Sequence, residues 1–149
     1  FTRRHRHLQA DPVFRRRDWF YGREIHGSGI RDIGWFNVDG NPMHDEWTAG
    51  YVKTLTVFLN GEEIATLNKQ GEQVMDDSFL LMFNAHYETL EFTLPKRFLN
   101  SENTDWSERR WRLLIDTKSE GFVKRTKNYK KKDKVTVAPR SLVVLKSKL

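Results

Sequence analysis

The chain has 149 residues, of which 38% are hydrophobic, 31% charged and 13% aromatic, with a formal net charge of +6 and no cysteine. That length fits one domain with a real core and is too short for a complete (β/α)₈ barrel, which typically needs at least ~200 residues. Without cysteine there is no disulfide framework and no thiolate-bound zinc or iron–sulfur centre, which fits a cytoplasmic setting. No apolar run is long enough to span a membrane, and the start, Phe-Thr-Arg-Arg-His-Arg-His, has no apolar stretch of a secretion signal. A beginning without Met reads as an excerpt of something longer.

The positive charge is local. From Lys118 to Lys134 eight Lys/Arg face two acids, and residues 1 to 23 carry seven Arg against Asp11 and Asp18, so the rest of the chain is net acidic. Two such clusters suit solvated loops or helix ends better than a nucleic-acid footprint.

In chain order, residues 1 to 10 read as the end of a helix, stopped at Asp11-Pro12 because the residue before proline is pushed out of the α region. Residues 13 to 50 are rich in aromatics and glycine. They suggest irregular connecting structure with one or two short strands and a turn at Asp39-Gly40-Asn41-Pro42. The pattern then changes to period 2. Leu55, Val57 and Leu59 share one face, Asn60-Gly61 is a preferred hairpin pair, and Glu62 to Leu67 is expected to return as the partner strand.

Ser78 to Ala85 is apolar on both faces, as a central, doubly covered strand would be. Leu90, Phe92 and Leu94 alternate inward until Pro95 ends the run. Trp111, Leu113 and Ile115 are expected on one face of a further strand, with Trp111 in the core. Val135 to Val137 and Ser141 to Leu145 supply the last two strands, and Lys118 to Lys134 reads as a charged hairpin tip or loop. Six or seven short strands with turn signals between them predict an all-β fold, an antiparallel β-sandwich. A short N-terminal helix remnant and the irregular aromatic-rich segment precede it, which divides the chain into 1–50 and 51–149.

Chemistry is hard to find. Glycoside hydrolysis needs two facing carboxyl groups, and the candidates are Asp39, Asp45, Glu46, Asp76, Asp77, Glu91 and Asp116. Asp45-Glu46 and Asp76-Asp77 are adjacent, and neighbours on a strand point to opposite faces, so neither pair is expected to converge. The five histidines, His5, His7, His26, His44 and His86, show no metal spacing, and Gly27-Ser28-Gly29 lacks the rest of a phosphate loop. No catalytic, cofactor or metal residue is assigned.

The aromatic residues are the remaining signal. Trp19, Phe20, Trp35, Phe36 and Trp47 concentrate in the first third and read as a face for a neighbouring domain. Trp47 and Trp106, the latter in a polar loop, are the candidates for stacking on a glucan.

Several phrases in order resemble one family. His-Leu-Gln-Ala-Asp-Pro-Val-Phe-Arg-Arg-Arg (7 to 17), Arg31 to Met43 with Trp47 after it, Leu59-Asn-Gly, Asp76 to His86, Glu91-Phe-Thr-Leu-Pro and Arg140-Ser-Leu-Val-Val-Leu are similar to the C-terminal part of isoamylase-type glycogen debranching enzymes of the α-amylase superfamily. The resemblance implies a non-catalytic, amylase-type C-terminal β-sandwich packed on a (β/α)₈ barrel of the same parent chain. It implies a parent that hydrolyses α-1,6 branches in glycogen or limit dextrin. The family's catalytic Asp and Glu have no counterpart in these residues, and the basic stretch from Lys118 departs from its pattern. An independent glucan-binding module using Trp47 or Trp106 is the alternative, and a nucleic-acid-binding domain a weaker third.

Overall fold

A computed structural model describes residues 11–15, 18–23, 25, 26, 30–50, 52–95, 109–118, 127–130 and 132–148, with the backbone alone at 46 and 47. The helix expected over residues 1–10, the loop carrying Trp106 and most of the basic stretch therefore lie outside the described residues.

Eight strands are present among the described residues: β1 (Ile33–Phe36), β2 (Thr54–Leu59), β3 (Ser78–Asn84), β4 (Leu90–Thr93), β5 (Trp111–Asp116), β6 (Asn128–Tyr129), β7 (Lys134–Val137) and β8 (Ser141–Ser147). Six form one sheet in the order β1-β2-β3-β8-β5-β6, and β4 and β7 form a second. Every pairing is antiparallel. The all-β, sandwich-like expectation is met. Strand β1 belongs to the large sheet, so the sheet begins upstream of the boundary drawn at residue 50.

The main core lies between the sheets. Phe92, Val135 and Val137 from the small sheet, with Leu94 just past β4, meet Phe36, Phe58, Leu80, Met82, Trp111, Val143 and Leu145 from the large one. Burying such side chains, at about 1.5–3 kcal/mol each, is what holds the layers together. One polar atom interrupts this layer: the Thr56 hydroxyl is buried with no hydrogen-bond partner among the described residues.

The opposite face of the large sheet carries a second cluster. Val57, Leu59, Phe79, Ile115 and Val144 are covered by Val13, Phe14, Phe20, Ile64 and Val74 from the first segment and the β2–β3 connection. Strand β3 shows why Ser78 to Ala85 lacks alternation. It is flanked by β2 and β8, with Leu80 and Met82 in one cluster and Phe79 and Leu81 against the other.

Two strand expectations are corrected. Asn60-Gly61 closes no tight hairpin, because β2 pairs with β1 and β3 and the chain from 60 to 77 forms a long connection with one isolated bridge, Leu67 to Gln73. Ile115 does not share a face with Trp111 and Leu113. A bulge between Leu113 and Ile115 inserts one residue opposite β8, which turns Ile115 to the second cluster. The turn at Asp39 to Pro42 is present: the Asn37 side chain accepts from the N–H groups of Asp39 and Asn41. Gly40 sits at φ +77°, and a β-carbon there would lie 2.8 Å from the Thr93 carbonyl oxygen, so only glycine fits.

Candidate docking face

The described residues between 11 and 32 contain little regular structure, so their N–H groups need acceptors from elsewhere. Three carboxylates supply them. Asp76 accepts from Val13 N at 3.0 Å, Asp32 from Tyr21 N at 2.7 Å and Gly22 N at 2.8 Å, and Glu63 from Ile25 N and His26 N at 2.5 Å each. Asp32 and Glu63 are fully buried, and the backbone N–H groups that their oxygens accept satisfy them there. The His26 ring meets the Ile64 carbonyl at 2.7 Å, so its proton is on Nε2.

A cation completes the fastening. Lys146 Nζ on β8 lies 3.1 Å from Asp11 Oδ1 and 3.1 Å from Asp77 Oδ2, and 5.3 Å from the Phe79 ring centroid. Burial alone would lower the Lys146 pKa, but the two carboxylates outweigh it and hold it above the ordinary lysine value. Asp76 goes the other way for a carboxylate. Loss of water raises its pKa, and the Val13 and Asp77 N–H groups only partly offset this. Asp76 and Asp77 lie ahead of β3, not on it, so the expected strand-type divergence does not separate them: both join the same anchorage. These carboxylates are spent on backbone and lysine contacts. Among the described residues, no group of three or more His, Asp or Glu side chains could hold a metal ion.

The sequence-selected aromatics separate by strand parity. Trp35 pairs with Val57, so it lies on the face of the second cluster, 38% exposed. Phe36 is a correction as a docking residue: it is 0% exposed in the inter-sheet core, because the next residue on a strand faces the other way. Phe20 is half-buried against the second cluster, and its neighbour Trp19 is 90% exposed. Trp47 lies in the 3₁₀ turn Asp45–Thr48, its side chain outside the description, and Trp106 is also outside.

Register adds residues that composition did not single out. Leu55, Phe83 and Leu142 are cross-strand partners on the Trp35 face, and Leu81 and Val144 continue the row from Val57. Leu55, Leu81 and Leu142 are only partly buried, and Phe83 is 39% exposed. Thus the described covering segments shield one end of this apolar face and leave the end around Trp35, Leu55 and Phe83 open. Phe83 could have been found from sequence by noting that both faces of β3 are apolar and asking what covers each.

No family model matches the chain. Over 140 residues, 92% of its length, it is 39% identical to proteins described as "Glycogen operon protein GlgX homolog" from Mycobacterium bovis and Mycobacterium tuberculosis. The matched stretch is 18% of those proteins, so the chain matches a part of them and spans less than a fifth of their length.

Proposed function

We propose that this chain is the non-catalytic C-terminal sandwich of a glycogen-debranching α-1,6-glucosidase, docked on and stabilising a (β/α)₈ catalytic barrel of the same polypeptide. Identity of 39% across nearly the whole chain to one part of the GlgX homologs carries the reading. Glycogen or a limit dextrin is then a partner through the parent enzyme, in a cytoplasmic setting. The open apolar face supports the docking role: Trp35, Leu55 and Phe83 lie together, and Asp11 and Val13 are fastened to the same side of the sheet. Contiguous apolar side chains left part-exposed on a sheet face are the kind of surface a partner covers.

The test is a two-fragment reconstitution of the parent, with this chain and the upstream region supplied separately. The chain alone should release no oligosaccharide from a glycogen limit dextrin, and mixing should restore cleavage. Trp19→Ser, which removes an exposed ring without touching the core, and Phe83→Lys should each weaken association about thirtyfold, the equivalent of an aromatic anchor of about 2 kcal/mol. Cleavage by the chain alone, or association indifferent to both substitutions, would overturn the proposal.

A further inference from the structure

The turn joining β3 to β4 carries a second aromatic feature at the sandwich end, a few residues beyond Phe83. Tyr87 is 66% exposed, and its ring stacks on His86 with centroids 4.4 Å apart and planes inclined by 26°. Single exposed hydrophobic side chains are ordinary. This one differs because the turn beneath it is held rigid. Asn84, buried at the end of β3, donates from Nδ2 to the carbonyls of Glu88, Val137 and Ala138 at 2.9–3.1 Å and accepts from His86 N at 2.9 Å. The His86 Nδ1 accepts from Glu88 N at 3.1 Å, so the ring carries its proton on Nε2.

The neighbouring β7–β8 turn is tied to it. Arg140 N donates to the His86 carbonyl at 3.1 Å, and Arg140 sits at φ +49°. Glycine or asparagine fills that conformation at least cost. An exposed arginine there keeps a strained backbone beside an exposed ring, a pattern that points to use of the side chain.

We infer that the β3–β4 turn is a surface site for neutral α-glucan chains, with the open face of Tyr87 as the stacking platform and with Glu88, next in the chain, and Arg140, whose N–H bonds the His86 carbonyl, as the charged residues of the two joined turns. A pyranose ring presents C–H groups to an aromatic face and hydroxyls at its rim. Each hydroxyl both donates and accepts, so an acidic and a basic residue carried by these two joined turns can both serve it. Glu88 and Arg140 carry opposite charges, so the pair offers a polyanion no net attraction. The choice of glucan as ligand rests on the glycogen reading above, while the platform itself rests on the stacked pair and the fixed turn.

Native electrophoresis of the chain in gels with and without glycogen tests this, with maltoheptaose as a soluble competitor. The chain should be retarded by glycogen and released by maltoheptaose. Tyr87→Ala should weaken retardation about tenfold, the equivalent of about 1.4 kcal/mol. Arg140→Gly should also weaken it while leaving the melting temperature unchanged or higher, because glycine accepts the positive φ. Absence of retardation, or full retardation of Tyr87→Ala, overturns the site. Association with the upstream region is read separately and should be unaffected by Tyr87→Ala, so failure of this site and failure of the docking proposal are distinguishable.

Discussion

Substitution of Gly61 by alanine should be among the most damaging single changes in the molecule, for a reason other than turn geometry. A β-carbon at Gly61 would lie 2.2 Å from the Asp76 carbonyl oxygen, 2.3 Å from that of Asp77 and 2.5 Å from the Asp76 carbonyl carbon. Ordinary carbon–oxygen contacts fall near 3.3–3.6 Å, so the 76–77 backbone would have to retreat by roughly 1 Å. That retreat breaks the bond from Asp76 N to Gly61 O at 2.9 Å and the one from Gly61 N to Ser78 Oγ at 3.0 Å. Each buried group left without a partner costs about 1–3 kcal/mol. It also pulls Asp76 and Asp77 from Val13 and Lys146.

A loss of about 4 kcal/mol is expected, near the upper end for point substitutions and a large part of the ~5–15 kcal/mol of a typical domain. The melting temperature should fall by about 8–16 °C, at ~2–4 °C per kcal/mol for chains of this size. Urea unfolding should show a lower midpoint with an unchanged slope. Two other glycines calibrate the result. Gly50→Ala meets no heavy atom within 4 Å and should change stability by less than about 0.5 kcal/mol. Gly22→Ala meets none either, but φ +68° should cost it about 1–2 kcal/mol. A loss below about 1 kcal/mol for Gly61→Ala would refute the close approach of these two backbone segments.

Thr56→Val should stabilise the fold by about 1 kcal/mol, because it replaces a buried hydroxyl lacking a partner among the described residues with a methyl of similar shape in a strand; a lower urea midpoint for the variant would count against this. The second expectation concerns pH. The raised Asp76 pKa means the folded state binds that proton more tightly than the unfolded chain, so ionisation destabilises the fold as pH rises from the ordinary aspartate value of 3.8 through the folded pKa. Asp76→Asn lacks that cost and can still accept from Val13, so its stability relative to the native chain should increase as pH climbs through that window. Paired urea titrations from pH 3 to 7 would show the gap widening; a narrowing gap would contradict it.

The parts of this fold that were legible in the sequence are those governed by side-chain period. The doubly apolar run from Ser78, the alternation through Phe92 and the burial of Trp111 follow from which residues must leave water, and each is found as expected. The illegible parts depend on backbone events that leave no periodic trace. The bulge in β5 moves Ile115 across the sheet although its spacing from Leu113 is that of a same-face pair. Asn60-Gly61 carries a hairpin signature but answers a steric demand from residues far along the chain. Phe36 and Trp35, taken together as a docking pair, are parted by the alternation of β1. Asp32, Glu63 and Asp76 look like surface acids in isolation. Their role as acceptors for the N–H groups of Val13, Tyr21, Gly22, Ile25 and His26 emerges only once distant segments are side by side.

Strand β8 is the last of the eight along the chain and yet sits inside the large sheet, bonded to β3 on one side and β5 on the other. During translation the ribosome delivers both neighbours first, and neither can complete its ladder until Ser141 to Ser147 has emerged. Until then β1-β2-β3 and β5-β6 are two separate ribbons with open apolar edges, the kind of surface that invites aggregation. Trimming residues from Ser141 onward would therefore split the sheet through its middle, whereas loss of the two-residue edge strand β6 would leave the other five joined.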